Sequence, residues 1–121
     1  MAKTIMVIDD SPSMRQMVNF TLTAGGYVVI EARDGVEALG KCGAQKVDLF
    51  ITDLNMPNMD GIQLTRQLRA LAPYRFTPIV MLTTESQTDK KMEGKAAGAT
   101  GWVIKPFQTE QLLAVVKKVS P

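Results

Sequence analysis

Five short runs of consecutive apolar residues punctuate the chain, at 4–8, 27–32, 49–52, 78–82 and 101–104. Each is rich in Val, Ile or aromatic side chains. Apolar residues on successive positions, rather than on alternate ones, predict strands covered on both faces, as in a parallel sheet. The intervening stretches carry helical spacing and start signals. Ser11-Pro12 offers an N-cap followed by proline at the first helical position. Met14, Met17, Val18 and Leu22 then recur at helical spacing until Gly25-Gly26 stops the run. Asp34-Gly35-Val36-Glu37 reads as a capping box, with Val36, Leu39 and Cys42 on one face of the helix it opens. Asp60 caps a third helix carrying Ile62, Leu64 and Leu68, and a fifth follows Thr109 with Leu112, Val115, Val116 and Val119 inward.

The fourth helix, about 88–97, stands apart because its apolar stripe is only Met92, Ala96 and Ala97. Gly94 inside it costs about 0.5–1 kcal/mol against Ala. A plain surface helix fits this pattern, and so does a weakly anchored moving part. The order is βα repeated five times. Right-handed crossovers between parallel strands then predict a three-layer α/β/α sandwich with helices on both faces of a five-stranded sheet. No linker, internal repeat or low-complexity segment breaks the pattern.

With 121 residues, the chain fits one domain, taken as spanning 1–121 with no separate output domain. No apolar run approaches the ~20 residues that span a bilayer. The N-terminus lacks a signal-peptide pattern. The single cysteine, Cys42, has no internal partner, and these features together point to the cytoplasm. A net charge of +2 with no Lys-rich or Arg-rich run argues against nucleic acid. The chain has no histidine, which excludes His-based triads, His-ligated metals and a phosphohistidine on this chain. Chemistry must come from carboxylates, hydroxyls, lysines or the lone thiol.

In open α/β sheets, functional groups gather beyond the carboxyl ends of the strands. The first predicted strand is followed by Asp9 and Asp10, the third by Asp53, the fourth by Thr83 and Thr84, and the fifth by Lys105 and Pro106. Three neighbouring carboxylates repel one another, and a hard divalent cation removes that difficulty. Mg²⁺ prefers oxygen ligands and commonly combines one or two protein carboxylates with phosphate oxygens. Lys105 would add positive charge for a phosphoryl oxygen and Thr83 a hydroxyl donor. Phosphoryl transfer needs little else, and an aspartyl phosphate is a known kind of covalent intermediate. Each residue alone has a plainer reading. Asp10 could help cap the first helix, Asp53 could serve a turn, Thr83, Thr84 and Lys105 could be solvated, and Trp102 and Cys42 could be core. Their coincidence at one sheet edge favours the chemical reading.

The segments Val7-Ile8-Asp9-Asp10-Ser11, Asp53-Leu54-Asn55-Met56-Pro57-Asn58-Met59-Asp60-Gly61, Thr83-Thr84-Glu85 and Gly98 through Phe107 strongly resemble the response-regulator receiver family, and within it the CheY-type chemotaxis regulators. The resemblance covers essentially the whole chain. It implies a flavodoxin-like sheet in the order 2-1-3-4-5, for which the CheY fold is itself a standard example. It implies that Asp53 is the phosphoacceptor, and that Asp10 and Asp53 ligate Mg²⁺ directly. Asp9 would act through a bound water, and the backbone carbonyl of Asn55 would complete the site. Lys105 would contact the phosphoryl group, with a cis bond to Pro106. Thr83 and Trp102 match a switch pair in which the hydroxyl moves to the phosphoryl group and the aromatic ring turns inward. The ring is Trp where Tyr or Phe is usual, a departure that bears on how far it rotates. Asn55 and Glu85 match positions that tune hydrolysis.

The implied function is a switch rather than an enzyme with an external substrate. A histidine kinase, of the chemotaxis type, phosphorylates Asp53. The surface of the fourth helix, fifth strand and fifth helix then engages a flagellar motor-switch protein, and autodephosphorylation resets a monomeric protein. A phosphate sink or phosphorelay intermediate keeps the same chemistry without motor binding. A haloacid-dehalogenase-type phosphatase is disfavoured because Asp-x-Asp-x-Thr is missing after the first strand. A flavodoxin-like electron carrier is disfavoured because two carboxylates there would repel a flavin phosphate.

Overall fold

A computed structural model describes residues 2–84 and 88–120, with side chains outside the description at 88–90. Its elements run β1 (Thr4–Ile8), α1 (Pro12–Ala24), β2 (Val28–Ala32), α2 (Gly35–Ala44), β3 (Leu49–Asp53), α3 (Gly61–Arg69), a 3-10 turn (Ala72–Tyr74), β4 (Ile79–Thr83), α4 (Thr88–Ala97), β5 (Gly101–Ile104) and α5 (Thr109–Val119). All strand pairs are parallel, in the order β2-β1-β3-β4-β5. The predicted strands at 27–32, 49–52 and 78–82 shift by a residue at one or both ends, so that Asp53 and Thr83 become the last residues of β3 and β4.

The two-residue period of a strand divides the core in two. Ile5, Val7, Leu49, Ile51, Val80, Leu82 and Val103 face Val18 and Leu22 of α1 and Leu112 and Val116 of α5. The alternate set, Met6, Ile8, Phe50 and Ile79, faces Ala38 and Cys42 of α2 and Leu64 and Leu68 of α3. The central strands β3 and β4 are buried at every position, which explains why their sequences are apolar without alternation.

Local signals start the helices where expected. Ser11 accepts from the Met14 N–H at 3.3 Å, and Asp60 and Gln63 cap each other's backbone at 2.8 and 3.1 Å. The box expected at Asp34 is half formed. Asp34 accepts from the Glu37 N–H, but the Glu37 carboxylate takes the N–H of Arg33 instead of that of Asp34. Val36 is 59% exposed and does not share the inner face with Cys42; Gly35, Ala38 and Cys42 do. Gly35 lies close against the Met59 side chain, and with Ala38 and Cys42 in the core Val36 is turned outward. Met17, in the stripe expected on α1, is 46% exposed.

The stripe expected on α4 is displaced as well. Met92 is 66% exposed and Ala96 is exposed, while Gly94 and Ala97 face the sheet. The reason is the Trp102 ring, which fills the space beneath Gly94. At its carboxyl end α4 is held by a guanidinium. Arg69 donates from Nε and Nη2 to the Gly98 carbonyl at 3.2 and 2.7 Å, and from Nη1 to the Tyr74 and Thr77 carbonyls at 2.8 and 2.7 Å. One side chain thereby ties α3, the 3-10 turn, the start of β4 and the end of α4. Arg69→Met keeps the apolar stem and strands three carbonyls. It should lower unfolding free energy by about 3 kcal/mol in urea titration, given about 1–3 kcal/mol for each buried group left unpaired. A loss below about 0.5 kcal/mol would remove Arg69 from this role.

Candidate functional site

The parallel order places the ends of β1 and β3 side by side, with Ile8 in register with Thr52. The next residues, Asp9 and Asp53, therefore emerge together. The Asp9 N–H still bonds the Ala32 carbonyl at 3.1 Å, so the strand ladder fixes Asp9 before the chain turns. Its carboxylate is fixed too, accepting from the Ser11 N–H at 2.9 Å. Asp9 is buried, Asp10 is exposed and Asp53 is 9% exposed. One oxygen from each of Asp9, Asp10 and Asp53 lies within 4.8 Å of the others.

Lys105 follows β5, two strands from β3, yet its side chain reaches this cluster. Its Nζ stands 3.3 Å from Asp9 Oδ2 and 3.4 Å from Asp53 Oδ1. Its own N–H donates to the Thr83 carbonyl at 2.7 Å, and its bond to Pro106 is cis, as expected. The ammonium is bound between two carboxylates and Asp10 has no ion pair among the described residues. At an effective dielectric of about 20, two carboxylates at this spacing repel by about 3 kcal/mol or more. One lysine cannot neutralise three such groups. Burial pushes the Asp53 carboxyl above the ordinary carboxylate range; Lys105 opposes that shift and Asp9 adds to it.

The donor set suits a hard divalent ion. Three carboxylate oxygens converge from two strand ends, one of them on the solvent side, with no soft or imidazole ligand nearby. Asn55 stands two residues past Asp53, exposed, in the loop to α3. Thr83 is fully buried at the end of β4, one residue beyond Leu82, which is in register with Asp53. Trp102 lies farther off, packed with Ala97 and Ala99 against Leu54, Ile62 and Met81. Glu85 lies outside the described residues.

Two contributors were not singled out from the sequence. Arg15 on α1 donates from Nη1 to the Asp9 carbonyl at 2.7 Å and from Nε to Glu31 at 2.9 Å, clamping the turn that carries the acidic pair. In sequence it reads as one more solvated helix arginine. Gly61 opens α3 directly against the Asp53 backbone, where a methyl group would collide with the Asp53 carbonyl oxygen. Its signal was available, since glycine just inside a capped helix start suggests close backbone approach.

Comparison with known proteins agrees with this arrangement. The family described as the response regulator receiver domain matches residues 5–117. The transcriptional regulatory protein PhoP of Bacillus subtilis, named for alkaline phosphatase synthesis, is 38% identical over 98% of this chain and 49% of its own length. The chain spans about half the length of that and two further curated relatives, at 49%, 51% and 48%. The chemotaxis protein CheY of Pseudomonas aeruginosa is 35% identical over 95% of this chain and 94% of its own. The crystal structure of chemotaxis protein CheY4 of Vibrio cholerae superposes with a TM-score of 0.96 at 48% identity, covering 98% of this chain and 99% of that one. An acidic trio set around one lysine at the edge of a 2-1-3-4-5 sheet thus agrees with the sequence match, and the chain belongs to the response regulator receiver domain family.

Proposed function

We propose that this chain is a phosphoacceptor switch in which Asp53 takes a phosphoryl group from a phosphohistidine of a histidine kinase. The observation that carries this reading is the Lys105 ammonium poised between Asp9 and Asp53, at 3.3 and 3.4 Å, beside an unpaired Asp10. An Asp53 carboxylate oxygen attacks phosphorus in line, the O–P bond forms and the P–N bond to the kinase imidazole breaks. Lys105 then leaves its carboxylate partner for a phosphoryl oxygen, and the Thr83 hydroxyl supplies a further donor. Asp9 and Asp10, with Asp53 and the Asn55 carbonyl, would hold Mg²⁺, which when bound offsets the carboxylate charge and that of the incoming phosphoryl oxygens. Asp9 is held in place by Ser11 and Arg15, so little reorganisation is required of it. Water later attacks the acyl phosphate and returns the carboxylate.

The output we infer is a change in partner affinity on the surface of α4, β5 and α5, through Thr83 and Trp102. The pathway we infer is chemotactic, with a flagellar motor-switch protein as the partner. Its support is the likeness to CheY and CheY4 along nearly their whole lengths. A phosphate sink would bind the motor-switch protein equally with and without an acyl-phosphate mimic such as beryllofluoride; a switch shows binding only with it.

Asp53→Asn should leave no label above background when the protein meets a ³²P-labelled histidine kinase, and Lys105→Met should slow labelling by about 10²-fold. Wild-type labelling of Asp53→Asn would exclude that residue. A stability test is independent of any kinase. Because folding raises the Asp53 pKa, the folded state holds its proton more tightly. The associated stability is present at low pH and is lost as pH rises through the folded value. Metal-free Asp53→Asn should therefore melt above wild type at pH 7, with the gap closing as pH falls below about 4. Mg²⁺ should raise the melting temperature of wild type and not of the variant.

A further inference from the structure

Trp102 is the only tryptophan of the chain, and its ring is turned toward the sheet beneath α4. The contact it makes there is unusual in two respects. A Cβ built at Gly94 would lie 2.8 Å from Cζ3 of the ring and 3.6 Å from Cη2, so the six-membered edge of the indole occupies the volume that any other residue would need. The indole Nε1–H is buried and has no hydrogen-bond partner among the described residues. Gly94 is a buried position on a helix whose neighbouring residues 91–93, 95 and 96 are exposed. Helix propensity gives no reason for glycine there, since Ala would be the better helix former.

We propose that Gly94 is a positioning residue, a notch that seats the Trp102 ring turned in, and that the unpaired indole N–H keeps this seat marginal. The opposing terms are both on the ring. Packing with Leu54, Ile62, Met81, Ala97 and Ala99 holds it in. The buried donor without an acceptor favours turning out, where water satisfies it. With any side chain at 94 the ring would have to shift. The same ring lines a cavity of about 330 Å³ with Lys91, Lys95, Ala99, Thr100 and Gly101, so its position changes the shape of that surface. α4 is already pinned at its carboxyl end by Arg69 through Gly98, so the seat at Gly94 is a second attachment. The seat rests on packing geometry and not on phosphoryl acceptance at Asp53.

Gly94→Ala tests it through the emission of the single tryptophan. The added methyl should expel the ring, moving the emission to longer wavelength and raising the acrylamide quenching constant about twofold or more, with labelling at Asp53 retained. Melting curves supply the second reading, taken in wild type and in Trp102→Ala. On propensity alone, Ala at 94 raises the melting temperature in both backgrounds. The notch predicts a fall when Trp102 is present and a rise when it is absent. Should Gly94→Ala fail to fold, folding of Gly94→Ala/Trp102→Ala supports the seat, whereas failure of both overturns it. Unchanged emission and quenching in a folded Gly94→Ala protein, or a rise in melting temperature in both backgrounds, also overturns it.

Discussion

Mutual repulsion among carboxylates at the carboxyl edge of the sheet is the constraint around which this molecule is organised. Asp9 and Asp53 are nearly withdrawn from water, and Asp10 stands beside them in solvent. Such a cluster persists only because the surrounding chain leaves it no escape. The Asp9 carbonyl is clamped by Arg15 and its side chain by the Ser11 N–H, while Gly61 brings α3 against the Asp53 carbonyl. Lys105 relieves part of the repulsion and is held in place by the Thr83 carbonyl. The unrelieved part is what suits these oxygens to a hard cation. The apolar sheet beneath is rigid by comparison, with β3 and β4 buried along their whole lengths.

Lys105 and Thr83 are bonded through their backbones, so these two residues stand together at the ends of the adjacent strands β5 and β4. Trp102 lies on β5, three residues before Lys105, and its ring reaches α4. Among its described residues α4 buries only Gly94; it packs beside α3 and is attached through Arg69 and the Trp102 ring. A helix so attached can shift without disturbing the core, because its buried surface is small and its anchors are discrete. Backbone bonding of Thr83 to Lys105 and packing of Trp102 thus join the sheet edge to the outer surface.

Much of this was legible in the residues. Apolar runs without alternation gave the parallel sheet, and strand ends followed by Asp9-Asp10, Asp53, Thr83 and Lys105 gave the site, because strand boundaries moved by only a residue. What was not legible depended on contacts between elements. Val36 and Met92 looked inward by helical spacing, yet with Gly35 against Met59 and Gly94 against Trp102 both face solvent. Spacing identifies a stripe, but packing between elements decides which stripe is buried. Arg15 and Arg69 escaped notice for a related reason. Each donates to backbone carbonyls, and nothing in a sequence marks which carbonyls are without partners.

The most direct test of the central claim is a ¹³C NMR titration of the Asp53 carboxyl carbon, without metal and with saturating Mg²⁺. Burial of Asp53, with Asp9 beside it, requires a metal-free titration midpoint above the ordinary aspartate value of about 4, and a cation among these carboxylates requires a downward shift when Mg²⁺ is added. A midpoint at the ordinary value that ignores Mg²⁺ would contradict the account.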